Sequence, residues 1–413
     1  MSPKPVVVLV SGKDPLTQRG GHPSFVRAHG RAAIAAGFVP HIFCASPEAG
    51  PITTDFGVVH RARGPWKSSR QTMMPFLAHR LTSAVTRFLS DQPGPHLIHS
   101  FSTWGAVGVA VEQKLRRRGI EAVTVVSAYT TMRHEGWGKV CGLNKAYSFG
   151  QHLFTQREYL WIRAAIVPYE RVAYQRSRLV LINYDSVQEM ISAEFGSRLP
   201  FRKIPYASES AFCSPEDGAQ ATAPESLAAL RPREAPLIVA VSRHDLRKGL
   251  DVLLRSLARL KKAGVAFRAC LVGPGVLLAR HRRLAAELDL TGSLMFTGDV
   301  PDSLPYLIHA DIFVLPSLEE GSGSLSLLEA LQTRNACVVS NCDGLVEDVT
   351  DGHDALLVPP GDEPSLAAAL RRLLEDRELR SRLSAAARET FEKRFSAAAL
   401  TRALCGVYRE LLP

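Results

Sequence analysis

Two groups of side chains in the second half of the chain pair cations and carboxylates in settings where both could do chemistry. The first lies in Val241-Ser242-Arg243-His244-Asp245-Leu246-Arg247-Lys248-Gly249. An apolar run ends near Ser242 and a leucine-periodic segment begins after Gly249. Arg243 and Lys248 thus fall between a strand's C-terminal edge and a helix N-terminus, both favourable places for an anion. A guanidinium offers a planar fork to phosphate-type oxygens, and an ammonium adds a compact charge. Two such cations can stabilise a departing diphosphate without a metal, and the chain has no Asp-x-Asp pair. Taken alone, an Arg-x4-Lys pair also suits an ordinary surface loop.

The second group is Pro316-Ser317-Leu318-Glu319-Glu320-Gly321-Ser322-Gly323-Ser324-Leu325-Ser326-Leu327-Leu328-Glu329-Ala330. A small-residue loop leads from an apolar strand into an apolar helix start, so amides around Ser324–Ser326 can face a phosphate. Glu320 and Glu329, at either end, can accept hydrogen bonds from neutral hydroxyls. Glu329 is expected in the first helical turn, where an acid also simply complements the helix dipole. Glu319 and Glu320 could equally be plain loop acids.

Elements that would position these groups are legible as short apolar runs bounded by turn residues. Strands are expected over 236–242, 267–273, 294–297, 311–316, 336–340 and 355–358. Helical patterns at 250–262, 278–288, 326–333 and 364–374 separate them; Leu250, Leu253, Leu254, Leu257 and Leu260 mark the first at three- and four-residue steps. Strand–helix alternation with strands apolar on both faces reads as a parallel, doubly wound sheet. The first half repeats the alternation less cleanly, with strands at 6–10, 39–45, 96–100, 122–127 and 178–183 and a helix over 24–36. Between Thr130 and Arg178 lies an insertion-like stretch in which Trp137, Tyr147, Phe149, Phe154, Tyr159, Trp161, Tyr169 and Tyr174 mix with arginines and lysines. Aromatics at helical spacing favour inward packing, though a membrane-facing or acceptor-gripping surface is the other reading. The stretch 213–235 reads as a linker. Ligands of open parallel sheets lie beyond the C-terminal strand edges, so the cleft between two such domains is the expected site.

A chain of 413 residues suits two sizeable domains. At 46% apolar and 22% charged, it has the composition of a globular protein. No run approaches the roughly 18 apolar residues of a membrane-spanning helix, and the N-terminus shows no leader pattern, so a cytoplasmic protein is expected. Seven scattered cysteines without a CxxC make a disulfide framework or zinc site unexpected. Charge is uneven: residues 1–206 hold 26 Lys+Arg against 12 Asp+Glu, whereas the remainder is net acidic. That asymmetry suits an anionic partner for the first half, or a solvated basic surface. The acidic second half and the lack of a nucleic-acid module argue against nucleic acid.

In order and separation these motifs resemble family 4 retaining glycosyltransferases of the GT-B fold, glycosyl transferases group 1. The resemblance is carried by Arg243-x4-Lys248-Gly249, by the Glu320 loop ending in Glu329-Ala330, and by Ser340-Asn341-Cys342-Asp343-Gly344-Leu345-Val346-Glu347. Asp351-Gly352 and Pro359-Pro360-Gly361-Asp362 then follow. It is strong over 236–365 and looser before, where Gly20-Gly21 and Ile204-Pro205-Tyr206 lie in similar positions. It implies an α/β architecture of two doubly wound Rossmann-like domains facing across a cleft. Residues 1–212 would bind the acceptor, 213–235 link, 236–390 bind a nucleotide-sugar, and 391–413 form a helix returning to the first domain.

The resemblance also implies roles. Arg243 and Lys248 would bind the diphosphate of a UDP- or GDP-sugar, Glu320 the transferred sugar and Glu329 the ribose. Amides from Gly323, Ser324, Leu325 and Ser326 would touch sugar and β-phosphate, Gly298 and Val300 would flank the base, and Gly21 would let the first loop approach the phosphates. No metal or resident cofactor is expected. The acceptor would be a glycan, a lipid-linked molecule or a small molecule, and the basic first half could associate peripherally with the inner membrane face.

Two departures qualify that pattern. Eight residues separate Glu320 from Glu329 where seven are usual, so either the loop carries a one-residue bulge or Gly321 takes the acid's position. A histidine common near Thr130 is missing; His134 comes several residues late and, beside Arg133 and Glu135, reads better as a surface histidine. His99, at the end of an expected strand, suits an acceptor site or a satisfied interior histidine. A sugar-nucleotide hydrolase or epimerase, and a binder that no longer transfers, are the alternative functions.

Overall fold

The structure is a computed structural model. It describes residues 4–412 apart from 19, 49, 64–72, 143–148, 208, 213–223, 231 and 233. Most of the expected linker, and Tyr147, lie outside the described residues. Two compact units emerge, one of residues 1–212 with 396–413 and one of 213–395. The division falls at 395/396 rather than at 390/391. Helix Arg377–Arg394 runs on to Phe395, and a new helix, Ala397–Leu411, starts behind the Ser396 cap.

The first unit is built on an eight-stranded sheet. Its strands are β1 (Val6–Val10), β2 (Val39–Ser46), β3 (Gly50–Thr54), β4 (Gly57–Arg63), β5 (His96–Phe101), β6 (Ala122–Ala128), β7 (Leu179–Ile182) and β8 (Phe201–Lys203). Their order is β3-β4-β2-β1-β5-β6-β7-β8. The β3–β4 hairpin is antiparallel, and the sequence reading had no strand there. Side chains alternate across β1 as a pleated strand requires. Val7 and Leu9 pack with helices Gly21–Ala35 and Ala397–Leu411, while Val8 and Val10 pack with Met74–Ser90 and Gly105–Arg116. The stretch from Thr130 folds as helices Met132–Gly142, Phe149–Trp161 and Val167–Arg176, with a π turn at Ile162–Ile166. Its aromatics divide: Tyr174 is buried, but Trp137, Phe154 and Trp161 are exposed.

The second unit has a six-stranded, wholly parallel sheet. Strands β9 (Leu237–Val241), β10 (Arg268–Val272), β11 (Leu294–Gly298), β12 (Ile312–Leu315), β13 (Ala336–Ser340) and β14 (Ala355–Val358) lie in the order β11-β10-β9-β12-β13-β14. From β9 the chain steps outward through β10 and β11, then returns to β12 on the other side. The β9/β12 boundary is therefore the topological switch point, where loops leave the sheet in opposite directions and open a crevice. Helix Leu250–Lys262 buries the five leucines that announced it.

Helix Ala397–Leu411 docks through Tyr408, which is fully buried, edge-on to Phe38 and hydrogen-bonded through its hydroxyl to His99 Nδ1 at 2.7 Å. All four tryptophans precede residue 212, so tryptophan emission reports the first unit alone. We expect Tyr408→Ala to destabilise the tryptophan-reported transition by about 3–5 kcal/mol. Denaturant titration would measure this; an unchanged midpoint would mean that the last helix contributes nothing to that core.

Candidate functional site

The loop leaving β9 is shaped by its own residues. Ser242 N–H pairs with Val272 O as the strand ends, and Asp245 Oδ1 accepts from Arg247 N–H at 3.1 Å to start a 3₁₀ turn over Leu246–Lys248. Gly249 then takes φ +59, a left-handed conformation that lets helix Leu250–Lys262 begin at once. A Cβ at this position would lie 1.9 Å from Pro316 O, so only glycine permits the loop to press against the loop leaving β12. Leu318 N–H donates to Arg247 O at 2.7 Å and joins the two loops by backbone.

Across this junction Lys248 meets Glu320. Lys248 Nζ donates to both carboxylate oxygens, at 2.7 and 2.6 Å, and the side chains are only 15% and 6% exposed. Ser317 Oγ donates to Glu320 Oε1 at 2.6 Å. From the far side, Asp343 Oδ2 accepts the amides of Glu320 and Gly321 at 2.6 and 2.8 Å, with Gly321 at φ +77. The loop thus makes a left-handed turn with two successive amides on one oxygen, and the Glu320 carboxylate lies beside Lys248. Ser317 and Asp343 stood within the quoted motifs but were given no role; Asp343-Gly344, three residues after the apolar strand Ala336–Ser340, was the available signal. Nearby, burial first and then Asp343 push the Cys342 thiol up to about 12, which leaves it an inert packing group rather than a nucleophile.

Other expected donor-side residues gather along the same sheet edge. Arg243 stands apart from the Lys248–Glu320 pair, 64% exposed with Nη2 3.5 Å from Asp245 Oδ2. Gly323 and Ser324 are buried, and Ser324 stands at the N-cap position of helix Leu325–Gln332, its Oγ 3.0 Å from Ser326 Oγ rather than on a helix amide. First-turn amides of such a helix lack partners within it and suit an anion. Glu329 is the fifth residue of that helix, half-buried and beyond the first turn, so complementing the dipole does not explain it. Gly298 closes β11 at φ +70, its carbonyl accepting from Gly273 N–H at 3.0 Å, with Val300 two residues on.

In the first unit the outcome differs. His99 is no acceptor residue: it is fully buried, with Nδ1 on Tyr408 Oη and Nε2 on Ser127 Oγ at 2.8 Å, and burial holds it neutral. Gly21 is the exposed first residue of its helix, and the left-handed φ of +103 belongs to Gly20. His22, missed from the sequence despite following Gly20-Gly21, bonds Ser11 Oγ through Nε2 at 3.1 Å and Tyr129 Oη through Nδ1. Burial lowers its pKa to about 3, which makes it a neutral hydrogen-bonding group at this sheet edge. Thr130 is half-buried, and its Oγ1 lies 3.8 Å from Met190 Sδ. His134 is half-buried rather than a surface side chain, its amide donating to Thr131 Oγ1 at 3.2 Å.

Glu170 secures this loop, accepting from Met132 N–H and from Tyr174 Oη at 3.1 Å. Burial, chiefly, raises its carboxyl to about 8. An acid raised in the folded state contributes stability that is intact below about pH 4.5 and lost as pH rises toward 8, in all of order 4 kcal/mol. Glu170→Gln should therefore flatten the pH dependence of tryptophan-reported unfolding between pH 5 and 8 and exceed the wild type in stability at pH 8–9. A variant with the wild-type slope would refute the buried neutral acid.

Comparison with known proteins places this geometry. The family model for Glycosyl transferases group 1 matches residues 225–390. A lipopolysaccharide core biosynthesis glycosyltransferase of Rhizobium meliloti, LpsE, is 32% identical over 170 residues, 41% of this chain and 48% of that protein. A phosphatidyl-myo-inositol mannosyltransferase of Mycolicibacterium smegmatis is 34% identical over 162 residues, 38% of this chain and 41% of that protein. The chain thus spans about half the length, or less, of these relatives. Among solved structures, a sucrose-phosphate synthase from Thermosynechococcus elongatus superposes over 99% of both chains with a TM-score of 0.74 at 21% identity, a likeness of fold. Residues 225–390, which contain Arg243, Lys248, Glu320 and Glu329, are a Glycosyl transferases group 1 domain within a GT-B fold.

Proposed function

We propose that this protein is a family 4 retaining glycosyltransferase that moves a sugar from a UDP- or GDP-sugar to a glycan, lipid-linked or small-molecule acceptor. The observation that carries the reading is the Lys248–Glu320 pair at the switch point of the second sheet, flanked by exposed Arg243 and by the start of helix Leu325–Gln332.

In this reading Lys248 keeps Glu320 aligned and turns its remaining N–H toward the donor diphosphate. Arg243 supplies the bidentate fork, and amides from Gly323 to Ser326 take the distal phosphate oxygens. Glu320 accepts from hydroxyls of the transferred sugar, Glu329 from those of the ribose, and Gly298 and Val300 border the base. As the bond between the anomeric carbon and phosphate oxygen breaks, the charge on the leaving diphosphate grows against two cations. The acceptor oxygen bonds to the same face of that carbon and gives its proton to the departing phosphate oxygen, so no protein nucleophile is needed. Two cations at the diphosphate fill the part a metal would otherwise take.

A membrane-associated acceptor is supported by the first unit's surface. Phe76, Trp137, Leu153, Phe154, Leu160 and Trp161 are each more than 40% exposed, and the Phe76 and Trp161 rings stack at 6.3 Å. Exposed Arg157 and Arg163 adjoin them within a strongly basic half-chain. An apolar patch with basic flanks suits an anionic bilayer surface, with the protein on its cytoplasmic side. Of the relatives named above, one is named for lipopolysaccharide core biosynthesis and the other for phosphatidyl-myo-inositol mannosyl transfer. No helix among the described residues is long and apolar enough to cross a membrane.

Lys248→Ala and Arg243→Ala should each lower kcat/KM by about 100-fold or more while the chain stays folded. The assay is a panel of UDP- and GDP-sugars with products read by mass spectrometry; NMR of the product should show the donor's anomeric configuration, and EDTA should leave turnover unchanged. Donor binding without product from any acceptor extract would favour a binder that does not transfer. Separately, Phe154→Glu with Leu160→Glu should cut co-sedimentation with phosphatidylglycerol vesicles by about tenfold. Equal binding by wild type and variant would remove the membrane role from this patch.

A further inference from the structure

Behind the Arg243 loop lies a chain of three side chains that the donor chemistry does not use. His244 is fully buried and His281, on helix Leu278–Glu287, is 1% exposed; their Nδ1 atoms are 2.7 Å apart. His281 Nε2 lies 2.6 Å from Asp251 Oδ1, and Asp251 Oδ2 takes Arg280 Nη2 at 2.6 Å. The protons follow from the chemistry of the ends. A carboxylate only accepts, so His281 Nε2 carries hydrogen toward Asp251. One proton lies between the two Nδ1 atoms, and the tautomer sets which ring donates it. Burial and the neighbouring His281 hold His244 down to about 4, in keeping with a neutral His244.

The placement of the ends gives the chain its meaning. His244 directly follows Arg243, and Asp251 comes three residues after Lys248, so the two ends enclose Lys248 and adjoin Arg243. His244 is further anchored by backbone, its N–H donating to Pro274 O at 2.8 Å and its carbonyl accepting from Leu277 N–H at 3.0 Å. Gly275 permits that approach, since a Cβ there would fall 2.4 Å from His244 N. Arg243 itself is mostly solvated and 3.5 Å from its nearest carboxylate. Its position is therefore set by its backbone.

We propose that His281 is a positioning residue: through Asp251 and His244 it closes residues 244–251 into a ring that contains Lys248 and adjoins Arg243, and so holds these two cations at the separation a nucleoside diphosphate requires. This rests on the diphosphate role proposed above for those two cations.

The test uses the full chain, with UDP and GDP as probes in calorimetric titrations. His281→Leu deletes the hydrogen bond to His244 and the ionic contact with Asp251 and should weaken the tighter nucleotide about tenfold. His281→Gln, whose amide can donate to Asp251 and accept from His244, should stay within about twofold of wild type, a rescue that lost packing would not give. In ring-¹⁵N-histidine NMR the wild type should show an Nδ1–H···Nδ1 coupling, and His281→Leu should lose it. Equal nucleotide affinity in His281→Leu and wild type, no rescue by glutamine, or no coupling would each overturn the proposal. Should wild type bind neither nucleotide, the donor reading fails instead, and the coupling with faster amide exchange over 244–251 in His281→Leu still decides whether the ring exists.

Discussion

The ion pair between Lys248 and Glu320 is the constraint on which the second unit's site depends. Each group is almost removed from water, a state costly for either alone, so the loops that carry them must stay together. Losing one partner of such a pair typically costs about 3–5 kcal/mol. The backbone agrees with this requirement: Gly249 admits Pro316, Arg247 O receives Leu318 N–H, and Asp343 gathers the amides on either side of the Glu320–Gly321 bond. The pairing falls at the switch point of the sheet because β9 and β12 are neighbours there although some seventy residues apart in sequence.

Around that fixed pair the other groups are graded in mobility. Arg243 is solvated and free to follow a ligand, whereas His244, next to it, is held from three sides. A cation that must close on a diphosphate gains from a flexible side chain on a rigid backbone, since only the former need reorganise. In the first unit burial does comparable work by choosing protonation states. His22 and His99 are kept neutral and Glu170 protonated by removal from water, so polar groups beneath that sheet edge act as hydrogen-bonding struts rather than charges.

Most of the second unit was legible because its strands are short apolar runs and its main helix repeats leucine on one face. Arg243, Lys248 and the helix behind Ser324 could be placed for the same reason: each sits where one pattern stops and another starts. The first unit yielded less. The β3–β4 hairpin, with Gly50-Pro51 and two threonines, lacks the apolar alternation that marks a half-buried strand, and the two long helices Met74–Ser90 and Gly105–Arg116 were passed over. The aromatic stretch misled in part, since Tyr174 is buried on helix Val167–Arg176 whereas Trp137, Phe154 and Trp161 stand exposed on the two helices before it.

Residue type and spacing by themselves determined the two-sheet α/β architecture, the placement of Arg243 and Lys248 at a strand edge, and the resemblance that organised the remaining motifs. These are local properties, set by periodicity and by what a strand end or helix start does to nearby charge. Tertiary structure alone decided how the ten-residue span from Glu320 to Glu329 is accommodated, because Asp343 and Lys248 come from distant segments. It also decided that His99 is an interior strut and His22 a sheet-edge group, and that His244, His281 and Asp251 meet at all. Burial and through-space pairing depend on which elements become neighbours, and no spacing along the chain encodes that.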